Sequence, residues 1–452
     1  MGFRKDFIWG AATASYQVEG GVYEDGKGLS IWDTFSRYSG ITYKGHTGDV
    51  ACDHYHRFRD DVKMMAALGI RNYRFSISWP RILPEGIGPV NEKGIAFYNA
   101  LIDELLAHGI RPFVTLFHWD YPQALQMRGG WTNTESPEWF RYYAEVCAKA
   151  FGDRVKDWIT LNEPQVFLGI GYRLGGMAPG LRLHDADLVP AAHHILQAQG
   201  LAVQMFRKYI DHVRVGYAPC GDPAIPVSDR KEDIEAARRA YFATREKEWV
   251  FSVGVWSDPI LLGCYPQDFL SAYGKLLPAS WEKDLRDTIA QPLDFYAQNI
   301  YKGVYYKAAD NAKGYETVDY GTGNPETAND WAVTPDALYW GPRFLCERYK
   351  TPLIITENGM SGHDWPALDG GVHDTAREDF LHRYLLALRR AADDGVDVRG
   401  YFVWSLLDNY EWSSGYKERF GIVYVDYDTL ERTPKDSARW YQRVMESNGE
   451  NL

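Results

Sequence analysis

Two glutamates stand in matched surroundings, Leu161-Asn162-Glu163-Pro164 and Thr356-Glu357-Asn358-Gly359. Each closes a short apolar run and has an amide side chain beside it. Pro164 stops the extended backbone just past Glu163, and Gly359 permits a sharp turn just past Glu357. Two carboxyl groups facing one bond are the equipment for cleaving a glycoside. One protonates the leaving oxygen, and the other attacks C1 or activates a water to do so. A lone glutamate at such a position reads more simply as a solvated surface charge. Two in matched positions, both beside tryptophan-rich strand ends, argue against that reading.

The elements that must position them can be read along the chain. Strand-like runs occur at Phe7–Gly10, Asn72–Ser78, Pro112–Trp119, Trp158–Asn162, Arg214–Ala218, Phe295–Tyr301, Leu353–Thr356 and Gly400–Leu406. Several are apolar on consecutive residues, the pattern of strands buried on both faces. Helical segments lie between them: Asp60–Leu68 ends at Gly69, Glu92–His108 at Gly109, and Thr375–Asp393 near Gly395, each glycine a C-cap signal. Eight strands alternating with helices predict a single (β/α)8 TIM barrel over residues 1–452, with its site at the C-terminal strand ends. Two α/β domains are the alternative, but no linker or low-complexity tract divides the chain. Long βα loops are expected at Gly171–Leu188, Cys220–Asp229, Lys302–Pro335 and Met360–His373.

Composition narrows the partners. The chain has 452 residues, 45% hydrophobic and 24% charged, with a formal net charge of -12. That acidity disfavours phosphate backbones and anionic lipid, so neither nucleic acid nor a membrane is expected as a partner, and a neutral small molecule fits better. Five cysteines, an odd number without a C-x-x-C pair, read as reduced thiols and a cytoplasmic location. The start of the chain carries no apolar leader-like run, which agrees with that expectation. The 16 tryptophans and 31 tyrosines supply rings on which the C–H faces of sugars could stack, although most must simply fill the core.

With these residues in view, the chain resembles the family 1 glycoside hydrolases of the β-glucosidase type over nearly its whole length. The likeness is carried by Ser15-Tyr16-Gln17-Val18-Glu19-Gly20, Tyr73-Arg74-Phe75-Ser76-Ile77-Ser78-Trp79-Pro80-Arg81 and Leu116-Phe117-His118-Trp119-Asp120. The two glutamate motifs follow, then Trp404-Ser405-Leu406-Leu407-Asp408-Asn409-Tyr410-Glu411-Trp412 and Arg419-Phe420-Gly421-Ile422. The resemblance implies a retaining β-glucosidase, with Glu163 as acid/base and Glu357 as nucleophile, their carboxyl groups about 5–5.5 Å apart. It gives Arg74 and Tyr301 as partners of Glu357. Gln17, His118, Asn162, Asn299 and Glu411 match ligands of the sugar hydroxyls. Trp404 matches the floor under the sugar, with Trp119 and Trp412 beside it, Phe420 as a wall, and Trp331 on the leaving-group side. The implied substrates are small β-glucosides and cello-oligosaccharides, with galactosides and fucosides tolerated, and no cofactor or metal is implied.

Two departures from the family pattern bear on specificity. The run Asn299-Ile300-Tyr301 lacks the usual middle aromatic. Gln165 stands where a tryptophan is common, so a polar amide is expected to face the leaving group. Relatives acting on 6-phosphorylated sugars carry a serine and a lysine in place of the Glu411 arrangement. Glu411 is therefore expected to repel phosphate, while Lys417 alone is weak evidence for it. Cys52-Asp53-His54-Tyr55-His56 has the composition of a metal cluster but no partner cluster, and it reads as part of a helix. A transglycosylase would use the same residues. A non-catalytic sugar binder would be expected to have lost one glutamate, and both are present.

Overall fold

The computed structural model of the protein describes residues 2–38 and 40–452. Eight parallel strands close into a barrel in chain order. They are β1 (Ile8–Ala12), β2 (Asn72–Ser76), β3 (Arg111–Phe117), β4 (Asp157–Asn162), β5 (Arg214–Ala218), β6 (Phe295–Asn299), β7 (Leu353–Asn358) and β8 (Val398–Trp404). The ring shuts where β8 pairs with β1, Ile8 opposite Gly400 and Ala12 opposite Trp404.

The barrel interior is packed. Phe113 and Phe402, both fully buried, meet across it with ring centroids 5.0 Å apart. Large rings on some strands require bare backbone on others. A Cβ on Gly216 of β5 would lie 2.1 Å from the Phe295 ring of β6, so glycine is the residue that leaves that ring its space. A second, larger apolar layer joins the outward faces of the strands to the surrounding helices.

Helices Glu92–Ala107 and Thr375–Asp393 lie where the sequence predicts them, and Gly69, Gly109 and Gly395 all take positive φ just past helix ends. The helix expected at Asp60–Leu68 instead runs over His54–Ala67. Tyr55, Phe58, Val62 and Met65 form its buried stripe. Arg57 and Arg59, on the exposed side of its first turns, interrupt that stripe in the sequence. Two expected loops hold strands: Ala224–Pro226 from one, Val304–Ala308 and Tyr315–Val318 from the other, joined in a small separate sheet.

Four of the eight barrel strands end earlier than their apolar runs suggest, at Ser76, Phe117, Asn299 and Trp404. The residues beyond leave the extended conformation to reach the barrel mouth. Trp119, Glu163 and Trp412 all sit at positive φ (77°, 48° and 50°), which costs about 1 kcal/mol or more for a non-glycine residue. The barrel thus holds three side chains of the mouth in conformations they would not choose alone.

Candidate active site

The two glutamates emerge from β4 and β7 into one cavity of ≈ 270 Å³ at the C-terminal end of the barrel. Of the residues read from the sequence as site residues, only Arg74, Gln17 and Asn162 are absent from its lining, and each hydrogen-bonds a residue that lines it, Glu357, Glu411 and His118 respectively. Arg74 projects from β2 and is buried. Its Nη1 donates to Glu357 Oε1 at 2.6 Å and to the Thr356 carbonyl at 3.0 Å. Its Nε donates to Thr115 Oγ1 at 3.0 Å, and Nη2 to Asn162 Oδ1 at 2.6 Å. Tyr301 donates its hydroxyl to the other oxygen of Glu357 at 2.6 Å. Each oxygen of Glu357 therefore has its own donor.

Glu163 is served differently. Its described side-chain partner is Asn299, whose Nδ2 donates to Oε1 at 2.7 Å. Burial, and then the charge of Glu357, push its pKa up to about 8; Asn299 and Arg74 oppose this without cancelling it. Burial raises Glu357 too, but Arg74 and Tyr301 pull it back by charge and hydrogen bonds. The pair is thus divided, with Glu357 the site of the charge and Glu163 the site of the proton.

Around them the polar groups brace one another. Asn299 also reaches Asn162 Oδ1, and its own Oδ1 accepts from Thr356. Asn162 Nδ2 lies 3.1 Å from His118 Nε2. An amide N–H can only donate there, so the ring proton belongs on Nδ1. Burial next to Arg74 keeps His118 well below its usual acidity range, hence neutral. His118 Nδ1 and Gln17 Oε1 are buried with no partner among the described residues. One donor and one acceptor therefore await a polyhydroxylated ligand.

Aromatic rings close the inner cavity. The His118 and Trp404 rings are 5.7 Å apart and nearly parallel, Trp119 packs on Trp412 at 4.4 Å, and Trp331 meets Tyr301 at 5.1 Å and Phe420 at 6.1 Å. The loop after β8, which carries Glu411, Trp412 and Phe420, is fixed from beneath by an ion cluster. Asp408 accepts from the fully buried Lys435 at 2.7 Å, from Arg419 at 2.8 Å and from the Gly421 amide at 2.9 Å.

Three expectations change here. Gly359 does not take positive φ. It is glycine because the chain passes against Trp404, where a Cβ would lie 1.8 Å from the carbonyl oxygen. Gly359→Ala is expected to lower the melting temperature by roughly 5 °C or more, read by calorimetry, because backbone on both sides must move. Gln165 lines the cavity on that side as expected, but its amide is not free to meet the leaving group. It is buried, its Nε2 donates to the Cys220 carbonyl at 2.8 Å, and its Oε1 accepts from the Cys220 amide at 3.4 Å. It ties the loop after β4 to that after β5. Glu411 does not repel phosphate by charge at neutral pH, because burial, then Glu357 and Glu418, push it up to about 8. The cation nearby, Lys417, is engaged 2.9 Å from Glu418 and offers a phosphate nothing.

Sequence reasoning missed the outer cavity wall. Its lining includes the apolar Val166, Ile170, Met177 and Phe251 and the charged Asp222, Arg245 and Lys302. These lie in loops after β4, β5 and β6, where no periodic pattern marks a side chain as facing a cavity. Of the Cys52–His56 stretch, His54 to His56 open the helix, while Cys52 and Asp53 precede it. His54 pairs with Asp61 at 2.7 Å, and the Cys52 thiol donates to the Asp408 carbonyl. No cluster of three or more metal-binding side chains occurs among the described residues.

A closed parallel barrel with two carboxyls of unequal acidity over an aromatic floor has the architecture of a glycoside-cleaving enzyme. The family model described as glycosyl hydrolase family 1 matches residues 1–450. β-Glucosidase A of Thermotoga maritima is 44% identical over 450 residues, spanning 99% of this chain and 98% of that protein. The 1,4-β-D-glucan glucohydrolase of Thermotoga neapolitana is 44% identical over 452 residues and 99% of both chains. The solved structure of the Thermotoga maritima β-glucosidase in complex with deoxynojirimycin superposes with a TM-score of 0.90, covering 99% of both chains at 44% identity. The chain belongs to glycosyl hydrolase family 1.

Proposed function

We propose that this chain is a retaining β-glucosidase, a single catalytic domain over residues 1–452. It removes unphosphorylated β-D-glucosyl residues from the non-reducing ends of small glucosides and cello-oligosaccharides, and accepts β-galactosides and β-fucosides. The observation that carries this reading is the unequal treatment of the two glutamates. Glu357 has a donor on each oxygen, including a buried guanidinium, whereas Glu163 is pushed up to about 8.

In the first step Glu357 attacks C1 from the face opposite the leaving group, and Glu163 passes its proton to the departing oxygen. A glycosyl ester on Glu357 results. Its formation removes the charge that raised Glu163, so Glu163 becomes a stronger acid and remains ionised. It then takes a proton from water as that water attacks C1, and the ester bond to Glu357 breaks. Two inversions return the β-configuration. Trp404, Trp412 and Trp119 form the apolar floor for the sugar ring. Gln17, His118, Asn162, Asn299 and Glu411 receive its hydroxyls, the unpartnered His118 Nδ1 and Gln17 Oε1 among them. Phe420 and Trp331 wall the site. A protonated Glu411 acts as a hydrogen-bond donor to an uncharged hydroxyl, and the nearby Lys417 is paired with Glu418.

Support for a glucosyl substrate comes from the names of the relatives. The five free cysteines, two of them fully buried, support a reducing, cytoplasmic setting. No helix among the described residues is long and apolar enough to cross a membrane. The decisive measurement is the configuration of the first-formed sugar. Proton NMR during hydrolysis of an aryl β-glucoside is expected to show the β-anomer ahead of mutarotation; an α-anomer appearing first would end the double-displacement reading.

A further inference from the structure

The cavity does not end at the glutamates. Besides the glutamates, its lining includes residues of two unlike kinds, apolar and charged, and that contrast defines a class of leaving group. One part is apolar. Val166 and Ile170 lie four residues apart on one helical face, and Met177 and Phe251 continue it, all four half-buried with apolar surface toward the cavity. Phe251 can approach because residue 169 is glycine; a Cβ there would lie 2.6 Å from the ring. The Gln165 amide, spent on Cys220, adds no polarity to this wall.

The charged part of the lining has an imbalance. Lys302 and Asp222 offset each other at 3.5 Å. Arg245 is exposed, lines the same cavity, and its guanidinium makes neither an ion pair nor a hydrogen bond among the described residues. The outer cavity thus carries a surplus positive charge in a protein of net charge -12 whose inner cavity holds three glutamates. A neutral sugar or a plain aryl group would leave that guanidinium unused. An anion on the leaving group would meet it while standing clear of the glutamates.

We propose that Arg245 selects leaving groups with an aromatic or other apolar body and a carboxylate at the far end, the body lying on the Val166–Phe251 wall. This rests on the β-glucosidase reading above. Arg245 acts at the distal end of the substrate, so it sets preference among leaving groups.

The test uses two substrates of matched leaving ability, 4-(carboxymethyl)phenyl β-D-glucoside and its methyl ester, in which the methylene insulates the phenol from the charge. Wild-type protein is expected to favour the acid over the ester in kcat/KM by about three- to tenfold, falling towards parity in about 1 M salt, where the screening length is about 3 Å. Arg245→Gln should bring the ratio to about one, Arg245→Glu should invert it, and Arg245→Lys should keep part of it. Turnover of the ester by each variant reports that it is folded. A ratio near one in the wild type, or one unmoved by Arg245→Glu, overturns the proposal while leaving the β-glucosidase reading intact. Failure of wild-type protein to hydrolyse either glucoside overturns both.

Discussion

Glu357→Gln is expected to lower kcat/KM for every β-glucoside by about 10⁴-fold or more, because it removes the group that forms the covalent bond to C1. The substitution preserves shape, so the cavity should survive it. It leaves Arg74 without its anion, although Thr115, the Thr356 carbonyl and Asn162 remain as acceptors. A lower melting temperature should therefore accompany the loss of activity, and circular dichroism separates that from unfolding. The neighbour supplies a second readout. Glu357 is the second cause, after burial, of the raised pKa of Glu163. With the charge gone, Glu163 should titrate lower, visible as a shift in its carboxyl band by infrared difference spectroscopy. Substantial turnover by folded, verified Glu357→Gln protein would remove Glu357 from the nucleophile role.

Glu163→Gln is expected to produce a loss that depends on the leaving group. A glucoside of a strongly acidic phenol needs little proton assistance, so formation of the glycosyl ester should persist, while cellobiose should lose about 10³- to 10⁴-fold. Release from Glu357 should also slow, because no base activates the water. A burst of phenol followed by slow turnover is the expected time course, and azide, which needs no base, should relieve it and yield the β-glucosyl azide. The pH profile carries the sign. Glu163 works protonated in the first step, so kcat/KM of the wild type should fall as pH rises through about 8. Glu411 also lies at about 8. The variants separate them, since the alkaline limb should vanish in Glu163→Gln and persist in Glu411→Gln, both assayed on the activated aryl glucoside.

The barrel was legible because its strands are buried on both faces, which writes them as continuous apolar runs, and because Gly69, Gly109 and Gly395 mark helix ends. The glutamates were legible because a barrel places chemistry at its strand ends. What lay hidden has physical reasons. Glu163 and Trp119 curl out of their strands at positive φ, which an apolar run cannot signal. The strands Val304–Ala308 and Tyr315–Val318 are short and contain no fully buried residue, so they lack the apolar signature of the barrel. The role of Gln165 depends on where the Cys220 backbone runs, 55 residues away in sequence. The protonation of Glu411 follows from how much water and charge surround it, which only the folded chain sets.

Arg74 has a consequence for how the molecule comes together. Its partners lie 41, 88 and 283 residues further along the chain, on β3, β4 and β7. The N-terminal half of the chain contains Arg74 and Glu163; the C-terminal half contains Glu357 and Tyr301. Neither half-barrel holds a working pair, and the contact joining them spans most of the chain. Hydrolysis during refolding therefore reports assembly of the two halves, and a half-assembled barrel stays silent even where its helices have formed.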